Sequence, residues 1–190
     1  MAMDAREAYL REHVVGDLKA VNGPIRIVDY DPGWPQRFER EAAQIRSALG
    51  ERARRIEHVG STSVPGLPAK PVIDIVLVVA DSAQEADYAP ALEGAGYRLR
   101  IREPDWHQHR SFKSPAKDVN LHVFSVGCGE TDRMLAFRDW LRANPADREL
   151  YARTKGELAQ QHWKYTQHYA DAKTAVVEEI LSRAGGRHNS

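Results

Sequence analysis

Cysteine is nearly missing from this 190-residue sequence, with Cys128 standing alone. One thiol makes neither an intramolecular disulfide nor a CxxC metal site, so a reducing compartment is the natural setting. Long apolar runs are missing too, and none approaches the ~20 residues that a membrane-spanning helix needs. The opening Met1-Ala-Met-Asp-Ala-Arg-Glu7 lacks the basic-then-apolar pattern of a signal peptide. A cytoplasmic protein with no membrane partner is expected. Excess charge of either sign is also lacking, since 27 Lys plus Arg balance 27 Asp plus Glu. The whole molecule has no pull toward DNA or anionic lipid. That argues against a general nucleic-acid binder while leaving room for a local basic cleft.

What remains is an ordinary globular composition, 42% apolar and 28% charged. A chain of this length buries about two-thirds of its surface as one domain. Residues 1–24 read as a charged helical extension (Tyr9, Leu10, Val14, Leu18) that stops at Asn22-Gly-Pro24. Residues 25–184 read as the main domain and 185–190 as a disordered tail. An extended stretch at 25–28 precedes a helix opened by Pro35, with Phe38, Ala42, Ile45 and Leu49 at helical spacing. Strands are expected at 53–59, 72–79, 97–101, 107–113 and 119–125, with a helix over 83–92. Helices then fill the chain from Glu130. One carries a Met134, Phe137, Leu141 stripe, one is capped by Asn144 with Pro145 at its first position, and one spans 168–184. Strands first and helices last give an α+β fold, a sheet backed by a C-terminal helical bundle.

The chemistry concentrates in His58-Val-Gly-Ser-Thr-Ser-Val-Pro-Gly-Leu-Pro-Ala-Lys-Pro-Val-Ile-Asp74. Gly60 lets the backbone approach an anion, Ser61, Thr62 and Ser63 add hydroxyl donors, and Lys70 adds a positive charge at the same mouth. Pro65-Gly66 suits a tight turn with positive φ at the glycine. By itself such a loop is more often a plain connection. What sets it apart is Asp74, the single charge in the apolar run 72–79. A lone carboxylate in a strand buried on both faces is costly unless paired or metal-bound. Asp74 is either a structural residue paired with an arginine or part of a site, and the loop opening the same strand favours the site.

Other features have a plainer alternative beside them. Arg98, Arg100, Arg102, Arg110, Lys113 and Lys117 make the middle of the chain basic, as a solvated face or as a device steering an anionic ligand. Cys128, between two glycines, reads as a turn residue rather than a nucleophile. His107 and His109 share a strand face and would need Asp105 or His122 to hold a transition metal, with no HExxH or cysteine set in support. If 114–118 closes a hairpin symmetric about Ala116, Arg110 lies opposite His122 and Phe112 opposite Asn120. Asn120, His122 and Arg110 would then share the Asp74 face, and a slip of one residue would invert this.

Several segments together resemble the GrpB family. They are Tyr30-Asp-Pro-Gly-Trp-Pro35, His58 to Leu67, Ala69-Lys-Pro-Val-Ile-Asp-Ile75, Leu121-His-Val-Phe124, Phe137-Arg-Asp-Trp-Leu-Arg142 and Tyr169-Ala-Asp-Ala-Lys173. The resemblance spans roughly residues 25 to 182. It implies a nucleotidyltransferase-like mixed sheet backed by helices, in a domain that also occurs attached to dephospho-CoA kinases. The superfamily pattern joins a Gly-Ser turn to an Asp-x-Asp/Glu pair and a third carboxylate on a later strand, which together hold two Mg²⁺ for in-line transfer. Gly60-Ser61 and Asp74 match. Val76 stands at the second acidic position, and the later strand offers Asn120 and His122. Asp74 is left as the candidate ligand for Mg²⁺. Helical Tyr and Lys residues contact triphosphates in such enzymes, so the resemblance makes Tyr169 and Lys173 candidates. Tyr151 and Lys155 have the same four-residue spacing. Trp106, Trp140 and Trp163 read as packing residues.

The sequence thus points to a nucleotidyltransferase-fold protein that binds a nucleotide or other phosphorylated small molecule, with a divergent transferase as its enzymatic form. Asp74 and His122 would carry the chemistry. Gly60, Ser61, Thr62, Ser63, Lys70, Arg110, Lys113, Tyr169 and Lys173 would hold the ligand. One alternative is a non-catalytic binding or interaction module that lost the metal carboxylates. The other is a ligase or an acyl or aminoacyl transferase using the same pocket.

Overall fold

The computed structural model describes residues 5–18, 20 and 22–186. Strands β1 (Arg55–Val59), β2 (Ile73–Val79), β3 (Arg98–Glu103), β4 (His109–Lys113) and β5 (Val119–Ser125) form one sheet in the order β1-β2-β5-β4-β3. β2 and β5 run parallel, and the other three pairings are antiparallel. β2 is apolar on both sides because both sides are covered. Ile73, Ile75, Leu77 and Val79 pack with Phe112, Leu121 and Val123 beneath α2 (Trp34–Leu49) and α3 (Ala89–Gly94). Val76 and Val78 face the other way, onto Val59, Phe124 and Leu135. Alternation puts Asp74 on this second face.

Local signals place most of the elements. α2 has Pro35 in its first turn, buries Trp34, Ala42, Ile45 and Leu49, and ends at Gly50 with φ 57. The C-terminal helices are α4 (Gly129–Ala143), α5 (Pro145–Ala159), α6 (Thr166–Ala172) and α7 (Thr174–Gly186). Their core is completed by the glycine loop: Val64 and Leu67 pack with Leu141, Tyr151, Val176 and Ile180. This contact seats the helices over the start of β2.

Several expectations shift. The single helix over 168–184 is two helices meeting at Lys173. The helix over 83–92 is a 3₁₀ turn, Glu85–Asp87, followed by α3, with Pro90 confined to the first turn where its missing N–H is harmless. Asn144 does not cap α5 with its side chain, which donates to Trp140 O at 2.8 Å instead. The strand expected from His107 starts at His109, because His107 and Gln108 take φ of 52 and 50 in a turn.

The N-terminal helix α1 (Ala5–His13) stops well short of Asn22. Val14 then bridges Ile101 at the sheet edge, and Arg6 pairs with Asp171 of α6. Residues 1–4 of the expected extension and 187–190 of the expected tail lie outside the described residues, while Gly185 and Gly186 belong to α7. Among the described residues, no helix is long and apolar enough to cross a membrane.

Candidate functional site

Val59 at the end of β1 pairs directly with Asp74, so the chain leaving β1 crosses that carboxylate at once. Gly60 has φ 69 and ψ −174, and a Cβ there would lie 2.6 Å from Asp74 Oδ2. Only glycine permits this close pass. The next residues make a 3₁₀ turn, Ser61–Ser63, whose hydroxyls have different tasks. Ser63 Oγ donates to Gly60 O at 2.5 Å, and Thr62 Oγ1 lies 3.0 Å from His58 Nε2 and 3.3 Å from Val72 O. These two groups hold the loop's shape. Ser61 Oγ instead accepts from Lys155 Nζ at 2.9 Å. Arg142 donates twice to Ser63 O, Arg138 donates to His58 O, and Lys155 donates to Pro68 O at 2.6 Å. Helices α4 and α5 therefore fix the loop before any ligand arrives.

Asp74 Oδ1 accepts from Asn120 Nδ2 at 2.6 Å and lies 3.7 Å from His122 Nε2, with 28% of the side chain exposed. Burial pushes this carboxyl up, but the nearby His122, the hydrogen bond from Asn120 and the charge of Lys173 outweigh it and hold it below the usual range. Four lysines lie within electrostatic reach of Asp74: Lys70, Lys113, Lys155 and Lys173. Burial lowers the pKa of each and the Asp74 charge opposes the shift. Lys155, only 2% exposed, is brought down to about 7 by burial and by neighbouring Lys173. Lys155 and Lys173 lie over the rings of Tyr151 and Tyr169, 4.8 and 4.7 Å from their centroids. Among the described residues, the ammonium groups of Lys70, Lys113 and Lys173 have no hydrogen-bond acceptor or ion-pair partner, and the buried Tyr169 Oη has none either.

The expected place of Arg110 is corrected by the hairpin register. Arg110 pairs with Val123, Ser111 with His122, Phe112 with Leu121 and Lys113 with Asn120, one residue from the symmetric arrangement. Ser114 N–H donates to Val119 O and closes a loop in which Lys117 takes φ 60. This register buries Phe112 against Leu121, both fully covered, instead of facing it to Asn120. Arg110 goes to the α3 side of the sheet, where it pairs with Glu85, and Lys113 takes the Asp74 side. The structure thus gathers Gly60, Lys70, Lys113, Lys173 and His122 near Asp74, links Ser61 and Tyr169 to it through Lys155 and Lys173, and removes Arg110.

The sequence named Lys155 only as a partner of Tyr151. Its signal was the spacing shared by Tyr151–Lys155 and Tyr169–Lys173, two helices presenting the same pair. Glu103 carried no signal, and the loop-clamping Arg138 and Arg142 stood only within the Phe137–Arg142 segment that resembles the family. Trp106 is not a packing residue of the core; it is 41% exposed and meets His107, His109 and Phe124 edge-on.

The residues present do not make a magnesium centre. A two-ion site needs converging carboxylates, but Val76 occupies the second position within an apolar cluster, fully covered. Among the described residues, no three His, Cys, Asp or Glu side chains converge to hold a metal, whether around Asp74 or around His107 and His109. Ammonium groups surround Asp74 where further oxygen ligands would be required.

Fold and site together define an α+β protein whose mixed sheet carries a lysine-ringed carboxylate beneath a glycine-serine loop. The chain belongs to the GrpB family, whose sequence model matches residues 24–183. It is 62% identical over 175 residues to a UPF0157 protein of Halalkalibacterium halodurans, covering 92% of this chain and 90% of that one. The crystal structure of the conserved protein GrpB from Enterococcus faecalis superposes with a TM-score of 0.76 at 33% identity, covering 87% of this chain and all of that one. A dephospho-CoA kinase of Mycolicibacterium paratuberculosis is 32% identical over 78% of this chain, which spans 43% of that protein. The Cid1 poly(U) polymerase bound to MgGTP shows a likeness of fold alone, with a TM-score of 0.44 at 12% identity over 68% of this chain and 45% of that one.

Proposed function

We propose that this protein binds a nucleotide or another phosphorylated small molecule, with the phosphates lying on the lysines around Asp74. The observation that carries this reading is the excess of cation. Four ammonium groups share one carboxylate, and three of them lack any acceptor among the described residues. Partly buried charges of one sign repel each other and lose hydration, which the fold tolerates because a multiply charged anion relieves both penalties. A phosphate chain has that charge density, and Ser61 Oγ and Tyr169 Oη add neutral donors. The lysines supply the positive charge that a divalent cation supplies elsewhere, so binding needs no metal. A transferase acting here would leave Asp74 and His122 to handle protons. The buried Val76 argues against a two-metal enzyme.

The test is a thermal-shift series with ATP, CTP, GTP, UTP and CoA precursors, each in EDTA and in Mg²⁺. At a ligand concentration 100-fold above Kd, stabilisation of about 2.7 kcal/mol raises Tm by roughly 5–10 °C for a chain of this size. The shift is expected in EDTA and is expected to disappear in Lys70→Ala. No shift with any phosphorylated probe overturns the proposal, and a shift confined to Mg²⁺ overturns its metal-free form.

A further inference from the structure

We infer that His122 Nε2 is the proton-transferring atom of this site, and that Glu103 and His109 are positioning residues that keep it so. The inference rests on the phosphorylated-ligand reading only for the identity of the substrate. Its basis is a continuous line of polar contacts across four neighbouring strands, β3, β4, β5 and β2. Tyr9 Oη of α1 donates to Glu103 Oε1 at 2.7 Å. Glu103 Oε2 lies 2.7 Å from His109 Nδ1, and His109 Nε2 lies 3.0 Å from His122 Nδ1. His122 Nε2 then faces Asp74 Oδ1 at 3.7 Å. The line therefore runs from the N-terminal helix at the sheet edge to the lysine-ringed carboxylate.

Each contact fixes the proton of the next. Burial pushes the Glu103 carboxyl up, but its bonds from His109 and Tyr9 hold it below the usual range, so it is ionised and accepts only. His109 must therefore carry its proton on Nδ1. Burial keeps the His109 ring neutral at physiological pH, with Glu103 opposing the shift. Its Nε2 is then a bare lone pair, and an acceptor there requires His122 to donate from Nδ1. Neutral His122 is left with an unprotonated Nε2 turned toward Asp74. A lone pair facing a carboxylate makes no hydrogen bond until a proton arrives, which makes that nitrogen the atom that loads and unloads. The His109 ring has little room to turn. It stacks at 4.9 Å on Phe124, with the edge of Trp106 at 5.3 Å, and lies nearly coplanar with His122 at an angle of 19°.

The groups facing His122 are Asp74 and Asn120 from β2 and β5 and His109 from β4, with Lys113 opposite Asn120 on the same face. The reaction class that fits is attack by a hydroxyl acceptor on a phosphoanhydride. A bond forms from the acceptor oxygen to phosphorus, and the bond from phosphorus to the leaving phosphate oxygen breaks with its electron pair on that oxygen. The acceptor proton passes to His122 Nε2. The imidazolium is then stabilised by Asp74, and the leaving phosphate by the lysines.

Long-range ¹H–¹⁵N correlation on histidine-labelled protein reads the tautomer directly, with no ligand present. In mildly alkaline buffer the wild type should show His122 protonated on Nδ1. Removing the acceptor with His109→Phe should move the ratio roughly tenfold toward the Nε2–H form, the change expected from one lost hydrogen bond. His109→Gln, whose amide oxygen can still accept, should restore the wild-type tautomer. A wild-type His122 protonated on Nε2 overturns the inference, as does a ratio unmoved in His109→Phe. If His109→Phe does not fold, His109→Gln still decides the matter, since a folded variant with the Nε2–H form also overturns it. A wild type with the expected tautomer that binds no nucleotide defeats the ligand reading and leaves the positioning intact.

Discussion

Replacing Gly60 by alanine tests whether the loop is pressed onto Asp74. With φ 69 and ψ −174, Gly60 sits in a region reserved almost wholly to glycine. A side chain there costs about 1–3 kcal/mol in backbone strain. The methyl group would also lie 2.6 Å from Asp74 Oδ2 and 3.1 Å from Asp74 Cβ, so the carboxylate must turn. Turning it gives up the bond from Asn120 at 2.6 Å. A hydrogen bond to a charged group contributes about 1.5–3 kcal/mol, which brings the whole effect to about 2.5–6 kcal/mol. Gly66 supplies the control: its φ is 77, and nothing lies within 4 Å of an added Cβ. Gly66→Ala should therefore lose about 1–2 kcal/mol, from strain alone. Urea unfolding of both variants measures the difference, and the nucleotide-dependent thermal shift measures the site. Gly60→Ala should be the less stable by about 2 kcal/mol or more and should lose the shift, while Gly66→Ala keeps it. Equal losses in the two, or an intact shift in Gly60→Ala, would refute the reasoning.

Acid should weaken the fold earlier than its carboxylates alone require. Burial holds His58 and His109 near a pKa of about 4 against an ordinary 6.5. A depressed folded value gives stability that is complete above the unfolded pKa and is lost as pH falls toward the folded one, by up to about 3 kcal/mol for each ring. Urea midpoints should fall between pH 6.5 and about 4, and His109→Phe should remove part of the slope; a flat profile across that window contradicts the burial argument. Lys155 is brought down from 10.5 to about 7, so near neutrality its charge is held at the expense of stability, an expense that grows as pH falls through that range. Lys155→Met removes the buried charge but also the bonds to Ser61 Oγ and Pro68 O, so the free protein should change by less than about 1 kcal/mol near pH 7, while nucleotide binding weakens by roughly tenfold or more. Reduced stability together with undiminished binding would assign Lys155 to structure instead.

Some of this protein was fixed by short stretches of sequence. Pro35 and Gly50 bound α2 because one has no N–H to lose in a first turn and the other tolerates positive φ. The run at 72–79 declared a strand covered on both faces, and Gly60 followed four residues later by Val64 and then by Pro65-Gly66 declared a tight connection onto it. The family was legible for the same reason, since its longest motif is contiguous. Which side chains meet was decided only by the tertiary structure. Arg110 and Lys113 exchange faces on a one-residue register that the burial of Phe112 against Leu121 selects, and no pattern within the hairpin determines it. Lys155 became a buried cation because Val64 and Leu67 of the loop complete the core of α4, α5 and α7. Glu103, His109 and His122 lie on three different strands, and the proton order among them follows from burial and pairing across the sheet. Propensity and turn chemistry act between chain neighbours and can be read along the chain. Register, desolvation and pKa depend on groups far apart in sequence, and they exist only once the sheet and the helices have closed over one another.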